Sequence, residues 1–219
     1  MSFAPKLSTL PEAQRALWEE LRQVPRRFVL YGGTALALRL GHRQSEDFDF
    51  FGDAPVHPEQ LLHTLPLLKD AVIRQNAPNS LTVVVGRGWP VKLSFFGLTR
   101  RRVNDPEWTE DGVVRVASLL DIAAFKMAVL PARAEAKDYL DVMALLRHGV
   151  ALGDALGAAQ AVYGEQFNPM ITLKALTYFC DGDLPTLPKD VQQSLRAAAI
   201  VKQIARFDPL PGGLVPPEN

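Results

Sequence analysis

Hydrophobic and polar positions recur with two different periods along this chain, and the change of period divides it. Between residues 11 and 23, Ala13, Ala16, Leu17 and Leu21 fall at helical spacing and predict one amphipathic helix. The apolar run "RFVLY" at 27–31 then reads as a buried strand. Gly32-Gly33-Thr34 interrupts it, "ALALRL" follows as a short helix with Thr34 as its N-cap, and Gly41 closes that helix. In "SEDFDFFG" the period drops to two. Phe48 and Phe50 alternate with Asp47 and Asp49, so this strand is expected to carry one greasy face and one acidic face. "HPEQLLHTLPLLKDAV" predicts a helix broken near Pro66, and "SLTVVV" and "VKLSFFG", separated by "GRGWP", predict a hairpin.

From Ser118 onward the pattern is almost entirely helical. "SLLD" has the form of a capping box, with Ser118 as cap and Asp121 reaching back. Helices are expected from there to Pro131, through "EAKDYLDVMALLRH" to Gly149, and over 152–163, 169–179 and 188–207. The expected organisation is an α+β protein: an α/β core over 1–117, a helical region over 118–207 and a Pro/Gly-rich tail over 208–219.

Composition narrows the function classes. The 219 residues carry 24 basic and 24 acidic side chains, so any nucleic-acid affinity must come from a local patch and not from a global field. A single cysteine, Cys180, excludes an intrachain disulfide framework and a multi-thiolate zinc site, and is read as a packed, inert thiol in a reducing compartment, by default the cytoplasm. No uncharged apolar run approaches the roughly 20 residues of a membrane span, so no membrane partner is expected.

The chemistry concentrates between Gly32 and Asp49. Residues two apart on a strand project from one face with Cα atoms roughly 6.5 Å apart, so Asp47 and Asp49 converge on one volume. Two carboxylates about 5 Å apart at an effective dielectric near 20 repel by on the order of 3 kcal/mol, a conflict that a hard divalent cation resolves. Mg²⁺ or Mn²⁺ suits such oxygen donors and serves phosphoryl-group chemistry. The Gly32-Gly33 turn complements it, because glycines let backbone N–H groups approach a phosphate at the start of a helix. Taken singly, a Gly-Gly turn or an Asp/Phe strand is more often only a turn or a half-solvated edge; the combination carries the reading.

Together, "GGTALALRLGHRQSEDFDFF" resembles the nucleotidyltransferase signature of a Gly-Gly or Gly-Ser turn followed by Asp-x-Asp, and its "GHRxSxDxDFF" form resembles the AbiEii/AbiGii toxin family. The similarity extends through "LLDIAAFKMAVLPARAEAKDYLDVMALL", where Lys126, Arg133, Lys137, Asp138 and Asp141 match the family's helical pattern, and into "LKALTYFCDGDLPTLP". The resemblance implies a polymerase-beta-like minimal nucleotidyltransferase core, a small mixed sheet with flanking helices, followed by a helical C-terminal half. It implies an NTP substrate used with Mg²⁺, a toxin encoded beside an antitoxin, and in some relatives tRNA as acceptor. Carried onto this sequence, Gly32 and Gly33 would hold phosphates, Asp47 and Asp49 would bind metal, and Lys126 would face the nucleotide.

One position departs from the superfamily pattern. The strand expected to bring a third acid reads "VKLSFFG", and Lys92 or Ser94 stands where that acid is expected. Lys92 opposes metal binding but favours phosphate, and Asp105, Glu107, Glu110 and Asp111 on the following loop offer other carboxylates. A nucleotide- or partner-binding module without transfer activity is therefore the alternative. Arg43 either caps the preceding helix electrostatically or reaches a phosphate, and Ser45 either bonds the backbone of the acidic strand or merely begins it. Lys126 in its helix has a snorkelling surface lysine as its plain alternative, and Asp141 a surface pair with Lys137. "TRRRV" at 99–103 is a basic run, solvated or in contact with RNA.

Overall fold

A computed structural model describes residues 2–97 and 101–215, which fall into two compact units. The first comprises residues 2–97, 105–118 and 211–215; the second comprises 101–104 and 119–210.

The first unit is built on one eight-stranded mixed sheet. Its strands are β1 (Ser2–Phe3), β2 (Phe28–Tyr31), β3 (Asp47–Gly52), β4 (Val72–Ala77), β5 (Ser80–Arg87), β6 (Trp89–Gly97), β7 (Glu107–Thr109) and β8 (Arg115–Val116), arranged in the order β1-β7-β8-β2-β3-β6-β5-β4. β2 and β3 run antiparallel, β3 and β6 parallel, and β4, β5 and β6 form an antiparallel meander. The predicted hairpin is β5–β6, tighter than expected: Arg87 pairs with Trp89 around Gly88. β4 is unanticipated in the sequence. Its residues are nearly all exposed, and it forms by pairing with β5 at the sheet edge.

Period two has its expected consequence on one face. Phe48, Phe50, Leu81, Val83, Leu93 and Phe95 are buried there, with Phe50 and Phe95 stacked at 5.5 Å between centroids. The opposite face is acidic only at its start: beyond Asp47 and Asp49 it continues in Phe51, which stacks on Phe96 at 4.8 Å and meets Tyr31 edge-on at 5.4 Å. The N-terminal helix is shorter than its pattern, with α1 (Glu12–Leu17) passing into a 3-10 turn at Trp18–Gln23. α2 (Gly32–Leu40) follows β2 directly, and α3 (Pro58–Thr64) ends before Pro66, where a 3-10 turn takes over.

The second unit is helical: α4 (Leu119–Val129), α5 (Ala136–Arg147), α6 (Leu152–Tyr163), α7 (Pro169–Ala175) and α8 (Lys189–Ala198). α4 is apolar nearly all round and buries Ile122, Ala123, Ala124 and Met127, as a central helix must. Asp121 in its first turn accepts the N–H groups of Val103 (2.8 Å) and Asn104 (3.0 Å), tying that segment to the helical unit. The expected helix over 188–207 stops at Ala198 because the following chain has another partner. Gly153 and Gly157 give α6 a bare strip, and residues 203–205 lie on it so closely that a Cβ at either glycine would strike a backbone carbonyl. Ala205 N–H donates to Gly153 O there at 3.2 Å.

Two smaller expectations are corrected. Cys180 is exposed, not packed. In the basic run, Thr99 and Arg100 lie outside the described residues, while Arg102 is buried. Within the Pro/Gly-rich tail, Leu214 and Val215 are buried. Among the described residues no single helix is long and apolar enough to cross a membrane.

Candidate nucleotide site

The turn between β2 and α2 sets the geometry. Gly32 has φ +76°, a left-handed conformation that costs L-residues about 1–2 kcal/mol and glycine almost nothing. It also leaves room for the neighbouring strand, since a Cβ on Gly32 would lie 3.1 Å from Asp49 Oδ2. The pairing of Tyr31 with Asp49 explains this proximity, for the residue after Tyr31 turns back beside the carboxylate it faces. Gly33 is short for a different reason: a Cβ there would collide with the Arg43 guanidinium and sit 3.1 Å from Ser45 Oγ. Arg43, whose Nη1 also donates to Gln44 O at 2.8 Å, thus lies against the first turn of α2.

Thr34 does not cap α2, which already begins at Gly32 with Tyr31 in the cap position. Its hydroxyl is buried and donates to the Asp47 carbonyl, while lying 2.8 Å from the Ser45 hydroxyl. Thr34 and Ser45 therefore join the start of α2 to the start of β3. Gln14 helps from α1, its Nε2 donating to Glu46 O at 2.6 Å. The two acids are held at a strand end whose backbone is fixed from both sides.

The β3–β6 register places Lys92 opposite Asp47 and Ser94 opposite Asp49. Lys92 Nζ lies 2.6 Å from Asp47 Oδ2, and Ser94, itself buried, lies 3.5 Å from the Thr82 hydroxyl. Of the loop acids, Glu107 is engaged by Arg39 Nη1 at 2.6 Å. Asp111 accepts Trp18 Nε1 at 2.8 Å. Burial pushes the Asp111 carboxyl up, but hydrogen bonds from Thr109, Trp18 and Val113 outweigh it and hold the group below the usual carboxylate range. Among the described residues no three His, Cys, Asp or Glu side chains gather as a metal-binding group. Two half-exposed carboxylates on one face are hard oxygen donors of the kind that would suit a divalent ion such as Mg²⁺.

Lys126, Arg133, Asp138 and Asp141 form a second constellation, within the helical unit. Lys126 is buried, neither solvated nor snorkelling, and its ammonium lies 2.7 Å from Asp138 Oδ1 and 2.5 Å from Asp141 Oδ2. Arg133 reaches the same Asp138 at 2.7 and 3.1 Å. Lys137 pairs with Glu135 at 2.8 Å and not with Asp141, which is fully buried. The residues missed by sequence reasoning are Tyr31 and Thr82, which join the acidic face through strand register; only the pairing partners, not any local motif, reveal them.

Solved structures share this architecture. A candidate nucleotidyltransferase from H. pylori matches with a TM-score of 0.54 at 20% identity, covering 85% of this chain and 89% of that one. JHP933 from Helicobacter pylori matches with a TM-score of 0.53, again at 20% identity, covering 85% and 87%. The chain thus has the nucleotidyltransferase α+β fold. Residues 15–211 match the family model described as nucleotidyl transferase AbiEii toxin, type IV TA system, and the chain belongs to that family. A protein of Aquifex aeolicus (strain VF5), aq_aa25, itself described as uncharacterised, is 31% identical over 157 residues, 70% of this chain and 74% of that protein.

Proposed function

We propose that this member of the AbiEii nucleotidyltransferase family transfers a nucleotidyl group from an NTP to a hydroxyl on RNA, with tRNA as the acceptor class, and acts as a toxin opposed by a cognate antitoxin. The observation that carries the reading is the close approach of Gly32 to the Asp49 carboxylate, which sets the glycine turn at the start of α2 beside an acidic pair. The N–H groups at the start of α2 and the Arg43 guanidinium would hold the triphosphate. Asp47 and Asp49 would carry Mg²⁺ or Mn²⁺, whose chemistry is neutralisation of charge on the α-phosphate and the leaving pyrophosphate.

In this reading the acceptor oxygen attacks the α-phosphorus in line, the bond to the bridging oxygen of the β-phosphate breaks, and pyrophosphate departs. The hydroxyl proton passes to water, since Ser94 stands where a third carboxylate would otherwise accept it. Thr34 and Ser45 keep the acidic strand in place, and Lys92 adds a positive charge toward phosphate. The acceptor class rests on the family and not on any residue of the site.

The test is a pyrophosphate-release screen with each of the four NTPs and total tRNA, on the wild type and on Asp49→Asn. Release by the wild type and its loss in the variant are expected; equal rates in both would overturn the assignment. Ser94 at the third-acid position and Lys92 on Asp47 favour a second reading, a nucleotide-binding module without transfer. Calorimetry showing NTP binding with no pyrophosphate release from any RNA or protein acceptor would favour that reading.

A further inference from the structure

The positions that depart from the three-acid pattern sit directly against the two acids that remain. Lys92 stands opposite Asp47 with its ammonium 2.6 Å from Oδ2, and neutral Ser94 stands opposite Asp49. Both members of the ion pair are about two-fifths exposed, at 43% and 42%, so the ammonium occupies an accessible edge of the carboxylate, where a cation from solution would also bind.

Charge decides how many ions such a place can hold. Three carboxylates with two divalent ions leave a net charge of plus one to meet a triphosphate. Two carboxylates and one ammonium, with one divalent ion, leave the same plus one. A second divalent ion about 3.5 to 4 Å from the first would need a third anion to share. It would instead meet the Lys92 ammonium on Asp47 and a hydroxyl at Ser94.

We infer that Lys92 fills the role of one of two cations, so that the site holds a single divalent ion together with its nucleotide. Lys92 is then a positioning residue that keeps Asp47 neutralised and aimed while the one ion is shared between the acids and the triphosphate. This inference rests on the nucleotidyl-transfer reading above.

Manganese binding separates the two. The full chain is saturated with α,β-methylene analogues of each of the four NTPs, bound Mn²⁺ is counted by equilibrium dialysis, and EPR reports whether two ions are spin-coupled. One bound ion per chain with an uncoupled spectrum is expected. Two coupled ions would overturn the inference and leave nucleotidyl transfer standing, whereas no bound nucleotide or manganese with any analogue would overturn the reading beneath it. Lys92→Met should bind Mn²⁺ several-fold more tightly, and Lys92→Met combined with Ser94→Asp should gain a second, coupled ion. A folded double variant that still holds one ion would also count against the role given to Lys92.

Discussion

The Lys126 ammonium lies 2.7 Å from the Asp138 carboxylate with both side chains out of contact with solvent, at 2% and 0% exposure. Asp141, equally buried, closes on the same ammonium from one turn further along α5. The helix pair α4 and α5 is thus joined through charge as well as through apolar packing. An ion cluster of this kind contributes modestly when intact, because desolvation offsets most of the attraction, but it is costly to break.

Lys126→Met should therefore destabilise the protein by roughly 3–5 kcal/mol, since Asp138 keeps Arg133 while the two carboxylates lose the cation between them. Urea unfolding followed by circular dichroism measures it. A loss below about 1 kcal/mol, the scale of an exposed pair, would show that the cluster does not hold the helices together.

Tyr139, on the same helix, gives a pH-dependent counterpart. Burial, with the charges of Asp138 and Asp181, pushes its hydroxyl up to about 12, and the neutral hydroxyl donates to Ala175 O at 3.1 Å. The unfolded chain ionises this group near pH 10 and the folded chain near 12, so the folded state binds the extra proton in between. Its contribution is complete below pH 10 and is lost as pH rises through 12, about 2–3 kcal/mol in all. The stability of Tyr139→Phe should fall less steeply than that of the wild type across that window; parallel curves would contradict the assignment.

Local periodicity and turn chemistry are sufficient to locate Asp47, Asp49, Gly32 and Gly33 in the sequence, because each feature spans fewer than twenty residues and follows from backbone geometry. The rest depends on distant partners. Nothing near Lys126 distinguishes a lysine buried against two aspartates from one reaching solvent, because α4 is apolar nearly all round and offers no polar face as a reference. β4 is invisible for a related reason: its exposed residues form a strand only because β5 supplies hydrogen-bond partners. The chain after Ala198 carries a helical pattern, yet the glycine strip on α6 offers it an extended course. Where side chains of another element decide the outcome, propensity loses.

Thr34 tests the link between the turn and the acidic strand. Its buried hydroxyl serves the Asp47 carbonyl and the Ser45 hydroxyl, and valine matches its shape without that chemistry. Thr34→Val should cost about 1–3 kcal/mol by leaving buried polar groups without this partner. In the transfer assay it should lower the rate further than stability alone explains, because the strand end carrying both acids loses an anchor. The check is initial rate measured well below the unfolding midpoint, where an unchanged rate would remove Thr34 from the site.

The two glycines of the turn should fail in different ways, which separates backbone strain from ligand contact. At Gly32 an alanine meets both a left-handed φ of +76° and the Asp49 carboxylate, so Gly32→Ala should lose about 1–2 kcal/mol in urea unfolding and disturb the acid as well. At Gly33 the backbone is permissive and the obstacle is the far end of the Arg43 side chain, which can swing away. Gly33→Ala should therefore stay near wild-type stability, within about 0.5 kcal/mol, yet bind NTP more weakly because the guanidinium no longer lies over the turn. Calorimetric titration with NTP decides the point: undiminished affinity in Gly33→Ala, alongside a displaced Arg43, would mean that the arginine has no part in holding the triphosphate.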